Sequence, residues 1–123
     1  MGSRHRGALG ERAEQQAFRF LIARGLCPVA RNFRGRGGEI DLVMLDGQCL
    51  TFIEVRYRSS SQFVDPLLTV DQRKQRKLVH AAALFLSRHR FYTNHSTRFD
   101  VVAIDENGIR WVRDAFRPDD VTQ

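Results

Sequence analysis

The sequence predicts an α/β domain in which helices pack on a mixed β-sheet. Three observations lead there. Two apolar-rich runs, residues 39–45 and 48–55, are joined by Asp46-Gly47, a strong two-residue hairpin signal. An amphipathic stretch starting at Asp71 and reaching about residue 90 comes after them. A further strand-like run, residues 98–104, follows that stretch. The helix can therefore act as a crossover that leaves the strands on either side of it parallel neighbours.

Taken in order, residues 9–25 carry Ala13, Ala17, Phe20 and Leu21 at helical spacing, and Gly25 is a suitable C-terminal stop. Leu26 to Phe33 reads as a strand that Pro28 confines to a sheet edge. Arg34-Gly35-Arg36-Gly37-Gly38 is a basic, glycine-rich loop, and residues 58–69, with three serines in a row, are polar and irregular. Asp71 is placed to cap the long helix, whose apolar face is Leu78, Ala81, Ala82 and Phe85. Asn107-Gly108 turns the run 98–104 into a last strand near Ile109 to Val112. With no repeat and no linker, this is one domain over 9–117, and 1–8 and 118–123 are expected to be flexible ends.

The chain has 123 residues, 42% of them hydrophobic and 28% charged, enough to bury a core and unlike a disordered segment. No apolar run approaches the roughly 20 residues that span a bilayer, and the basic N-terminus leads into no apolar signal region. Cys27 and Cys49 have no CxxC spacing and read as small apolar fillers, so a reduced, cytoplasmic setting is expected. The net charge is +6, and Lys74 and Lys77 are the only lysines among twenty basic residues. Such a balance favours a polyanionic partner, although genomic base composition also enriches arginine without selection for binding.

The carboxylates carry more information. Glu39 and Asp41 are two apart on one strand, and Glu54 and Arg56 two apart on the next, so each pair shares a face. A turn at Asp46-Gly47 sets Asp41 against Phe52 and Glu39 against Glu54, with Asp41 and Glu54 diagonal neighbours. Carboxylates crowded in this way repel and raise one another's pKa unless a cation sits between them. Hard oxygen ligands suit Mg2+ or Mn2+. The competing explanation is a solvated strand face whose acids pair with arginines. The apolar residues from Leu50 to Val55 argue for partial burial around Glu54, and a buried carboxylate needs a partner.

Asp41 and Glu54-Val55-Arg56, separated by twelve residues, resemble the D-(x)n-(D/E)-x-K signature of the restriction-endonuclease-like superfamily. The fuller pattern resembles the YraN family of bacterial proteins, related to archaeal Holliday-junction resolvases. Its matching pieces are Gly10, Glu14, Ala17 and Leu21; Gly25; Asn32; GEIDL at 38–42; Phe52 with EVRYR at 54–58; Lys74; RFDVVAI at 98–104; and Asp114-Ala115-Phe116. The resemblance spans nearly the whole chain and implies a restriction-endonuclease-like mixed sheet flanked by helices.

It also implies a site. Glu14 matches the helical acid that completes the resolvases' metal site, Asp41 the central ligand, Glu54 the second strand acid, and the Val55 carbonyl a further oxygen. Arg56 stands where lysine is usual. The activity implied is Mg2+- or Mn2+-dependent hydrolysis of phosphodiesters in DNA, which is favoured over RNA, with branched DNA a candidate substrate. Arg56 suits phosphate well but does not deprotonate, so a catalytically weak or inactive binding module with the same fold is the alternative. Arg34, Arg36, Glu39, Arg58, Arg73, Lys74 and Lys77 are the candidate nucleic-acid contacts, and a homodimer is compatible with symmetric cutting. A structural role, with arginines bridging the acids, is the third reading.

The remaining candidates fall away. His5, His80, His89 and His95 lack metal-ligand spacing, and Ser59–Ser61 have no activating histidine in a recognisable relation. Asp100, inside an apolar strand, is expected to hold structure by bonding backbone or an arginine. Phenylalanines and Trp111 read as core or interface.

Overall fold

The computed structural model describes residues 7–35, 37–58, 65 and 69–121. The apolar spacing of the N-terminal segment becomes helix α1 (Ala8–Ala23), which buries Ala13, Glu14, Ala17 and Leu21. Gly25 ends it at φ +95, with its own amide on Ile22 and the Leu26 amide on Leu21, an αL cap that only glycine adopts cheaply. Three strands follow, β1 (Cys27–Gly35), β2 (Gly38–Asp46) and β3 (Cys49–Tyr57). Helix α2 (Gln72–Arg88) starts at Asp71, whose Oδ1 accepts the Lys74 amide at 2.9 Å. Strands β4 (Ser96–Asp105) and β5 (Gly108–Phe116) complete the sheet.

The sheet runs β1-β2-β3-β4-β5. Only β3 and β4 are parallel, and α2 makes the crossover between them as expected; the other neighbours are antiparallel. Strand β1, carrying Pro28, lies at the edge. Each helix covers a core of its own. Leu78, Ala81, Ala82 and Phe85 of α2 pack with Val43, Leu50, Phe52 and Phe99. Ala13, Ala17 and Leu21 of α1 pack with Leu42, Met44, Ile53 and Val55. Neighbouring residues of β2 and β3 thus divide between two buried faces, which is why both strands read as nearly continuous apolar runs.

Three readings need correction. The β2–β3 turn is Gly47-Gln48, because Asp46 still pairs with Cys49. The register is therefore Leu42 against Ile53 and Val43 against Phe52, shifted by two from a turn centred on Asp46-Gly47. A shift of two preserves which face each side chain occupies. Cys27 is not an apolar filler, since it is exposed at the start of the edge strand, and Cys49 is half-buried. Past residue 117 the chain makes the 3-10 turn Pro118–Asp120, and Val121 is buried in the α2-side core.

The hairpin between β1 and β2 lies directly on α2 because its glycines have no side chains. A Cβ on Gly35 would stand 3.0 Å from the Ala81 Cα, and one on Gly38 would stand 2.7 Å from the Lys77 carbonyl oxygen. Neither neighbour can swing aside, since both are helix backbone. Gly38→Ala is therefore expected to destabilise the fold by about 1–3 kcal/mol in urea melts. Gly7→Ala, with nothing within 4 Å, should change it by less than about 0.5 kcal/mol. Equal midpoints for the two variants would mean that the hairpin does not bear on α2.

Candidate metal and phosphate site

The β2–β3 ladder stops one step short of Asp41 and Glu54. Its last pair is Leu42 with Ile53, and one further step at the same register sets Asp41 against Glu54. On the other side, Arg31 pairs with Leu42 and Phe33 with Ile40, so Asn32 stands across from Asp41. Asn32, Asp41 and Glu54 thus form one row across three strands. The row is irregular: Asn32 has φ +53, and Ile40 joins the α2-side core although Leu42 joins the α1 side. At this irregularity the Asp41 carboxylate replaces a ladder bond, with Oδ2 accepting the Val55 amide at 2.8 Å.

Asp41 is 2% exposed and Glu54 5%. Their carboxyl groups are close enough for the Asp41 charge to act on Glu54. Burial, followed by the Asp41 charge, pushes Glu54 up from 4.5 to about 8. This holds although two cations oppose it. Arg56 Nε lies 3.1 Å from Glu54 Oε2, and Lys74 Nζ reaches the same oxygen at 3.7 Å. Arg56 Nε is buried, and its contact with Glu54 is an ion pair rather than a well-aligned hydrogen bond.

The other predicted residues distribute unevenly. Glu14 is 4% exposed on α1, and both its oxygens take hydrogen bonds from Asn32 Nδ2, at 3.0 and 3.1 Å. Among the described residues no three His, Cys, Asp or Glu side chains group closely enough to hold one metal ion. The structure therefore brings Asp41 and Glu54 together and bonds Glu14 to Asn32, which stands across from Asp41 in the row. Glu39 does not join the pair: it faces Arg34 across the β1–β2 hairpin, Nε to Oε1 at 3.9 Å. Of the α2 basic group, Lys74 touches Glu54, while Arg73 and Lys77 are exposed, Lys77 with its backbone against Gly38. The Arg58 amide bonds the Ile104 carbonyl at 2.9 Å. Arg36 and Ser59–Ser61 lie outside the described residues.

Sequence reasoning misses the work of Asn32, which orients Glu14 from a left-handed backbone position. Asparagine tolerates that conformation better than most residues, which is the available signal. Asp100 behaves as expected of a structural acid. It is 1% exposed and accepts from Arg98 Nε at 2.9 Å and Nη2 at 3.1 Å, Trp111 Nε1 at 2.9 Å and the Asp114 amide at 2.9 Å.

Fold and site together define a class: a mixed α/β protein with a buried acid pair on adjacent strands, faced by a guanidinium and an ammonium group. Residues 13–104 match the uncharacterised protein family UPF0102, and the chain belongs to that family. A UPF0102 protein of Pseudomonas putida (strain W619) is 46% identical over 112 residues, covering 87% of this chain and 91% of the relative. Another, from Halorhodospira halophila, is 47% identical over 108 residues, covering 88% and 86%. A third, from Enterobacter sp. (strain 638), is 45% identical over 119 residues, covering 96% and 91%. No helix among the described residues is long and apolar enough to cross a membrane.

Proposed function

We propose that this protein is a Mg2+- or Mn2+-dependent endonuclease acting on DNA, with Asp41 and Glu54 at its reaction centre. One observation carries the reading. Asp41 and Glu54 are both buried on adjacent strands, and burial with the Asp41 charge raises the Glu54 pKa although Arg56 and Lys74 both face it. A place beside two buried carboxylates suits a divalent cation. The two buried carboxylates supply hard oxygens for such an ion, and the family resemblance adds the Val55 carbonyl and Glu14 as further ligands. The chemistry a bound cation supplies is polarisation of a phosphate oxygen and acidification of a water molecule.

The chain's own residues do the rest. The Val55 amide fixes the orientation of Asp41, so the carboxylate is held before substrate arrives. Arg56, beside the Glu54 carboxylate, offers its guanidinium to a phosphate oxygen and offsets charge that develops on the phosphate. Lys74 brings an ammonium group to the same carboxylate oxygen from α2, so lysine chemistry is present although the strand position holds arginine. Other basic residues of the chain, Arg34, Arg58, Arg73 and Lys77, add positive charge that attracts the polyanion.

Arg56 also favours a second reading, a nucleic-acid-binding module without turnover, because a guanidinium cannot act as a general base. One experiment separates them. Labelled duplex, single-stranded, flap and four-way-junction DNA are incubated with Mn2+ or Mg2+ and with wild type or Asp41→Asn. Asparagine keeps an acceptor for the Val55 amide, so the fold survives. Wild-type cleavage that falls at least about a hundredfold in Asp41→Asn is the expected result. Silence from both proteins, with wild type still shifting DNA on a gel, would leave the module. Equal cleavage by both would remove Asp41 from the chemistry.

A further inference from the structure

From its middle to its C-terminal end, α2 carries a second cationic cluster apart from the acid pair. A cavity of about 450 Å3 is lined by Arg34, His80, Leu84 and Arg88. His80, Leu84 and Arg88 recur every fourth residue and so share one face of α2. Arg34 is brought beside them because Gly35 lies against Ala81 and Phe33 packs edge-on to Phe85, ring centroids 5.1 Å apart. Arg34, His80 and Arg88 are all exposed; Arg34 also faces Glu39 at 3.9 Å, while the described residues lining the cavity include no carboxylate.

Just beyond Arg88, the 3-10 turn Arg90–Tyr92 presents Phe91, which is 79% exposed. Its ring is nevertheless supported. Tyr92 stands edge-on to it at 5.0 Å and His95 lies at 5.7 Å, while Tyr92 itself packs against the core. Phe91 follows Arg88 and Arg90 in sequence, both exposed. A supported, open aromatic ring among arginines matches a nucleobase with its phosphates, since every base has a face to stack and a charge to neutralise. A second copy of this chain is a poorer fit, because both surfaces would carry the same sign and the whole chain has a net charge of +6.

We propose that this cavity and Phe91 bind a single-stranded nucleic-acid segment, with Arg34, His80 and Arg88 on its phosphates and Phe91 stacked on an unpaired base. The inference rests on the nucleic-acid reading of the acid pair and adds the substrate's form. Lys74 and Arg88 are separated along α2 by about 20 Å. The unpaired base therefore lies several nucleotides from the cleaved phosphate, as in a strand that leaves a duplex at a flap or junction.

The test is binding, measured by fluorescence anisotropy in EDTA so that cleavage plays no part. The probes are a short labelled single strand and a blunt duplex of the same sequence. Phe91→Ala should weaken single-strand binding about tenfold, leave the blunt duplex within about twofold, and be rescued by Phe91→Trp. Arg34→Gln with Arg88→Gln should flatten the salt dependence of single-strand binding by about 0.7 per lost phosphate contact. Unchanged single-strand binding in both variants, with wild type binding well, would overturn this site and leave the acid-pair reading standing. Loss of self-association in Phe91→Ala without loss of single-strand binding would assign the ring to a contact between copies. Failure of wild type to bind either probe would overturn both readings together.

Discussion

Glu54→Gln is expected to melt well above wild type at pH 9 and to match it below pH 4.5. The sign follows from the protonation states. Glu54 titrates at 4.5 when exposed and at about 8 in the folded protein, so between those values the folded state holds a proton that the unfolded state has released. Stability from this group is complete below pH 4.5 and is lost as pH rises through 8. The largest loss is on the order of 5 kcal/mol, at about 1.4 kcal/mol for each pH step between the two values, and rearrangement of Arg56 and Lys74 lowers it. Glutamine mimics the protonated acid at every pH and can still donate to Asp41. Thermal melts of the two proteins from pH 4 to 9 should therefore diverge above pH 4.5 and become parallel beyond 8, with a final gap of about 10 °C. Parallel curves throughout would show that Glu54 is not held neutral by Asp41 and burial.

The same substitution separates the proton from the cation. Mn2+ stabilises whichever state binds it, so wild type should gain melting temperature with Mn2+ concentration, more at pH 8 than at pH 5, where the proton competes. Glu54→Gln should gain nothing at either pH. A variant more stable than wild type and unresponsive to the ion would tie the strain in the site to its function, as expected where buried like charges are kept together for binding.

Much of this arrangement is legible in the sequence because local patterns govern it. The Asp46-Gly47 signal, the apolar face Leu78–Phe85 and the cap at Asp71 describe the hairpin and the crossover, and the crossover alone makes β3 and β4 parallel. Placing Asp41 and Glu54 on one face needs the two-residue period of a strand and a turn of the right parity. Their direct opposition needs the register, which depends on which two residues form the turn, and Asp46 is paired rather than turning. Partners set by distant packing are not legible. Strand spacing groups Glu39 with the acids, but the β1–β2 pairing brings Arg34 to it. Lys74 reaches Glu54 only because α2 lies on a hairpin whose Gly35 and Gly38 permit the approach. No periodicity in the sequence encodes that contact.

The second large effect lies away from the acid pair. Asp100→Ala should destabilise the protein by about 3–5 kcal/mol, the range for removing one partner of a buried ion pair. The carboxylate sits at the irregularity where β4 pairing shifts between Phe99 and Val101, and four donor hydrogens converge on it, two of them from Arg98. Arg98 keeps Asp46, at 2.7 Å, but loses its bidentate partner, while the Trp111 indole and the Asp114 amide lose their acceptor. Asp114 holds φ +53, a backbone conformation that its amide's bond to Asp100 helps secure. Asp100→Asn preserves the shape but must turn an NH2 group toward donors, so it should fall between wild type and alanine. Trp111, the single tryptophan, reports the change directly: in urea its fluorescence midpoint should move with the far-UV signal. If Asp100→Ala instead kept full stability and lost only the Mn2+ response, Asp100 would be a member of the metal site and the structural assignment would fall.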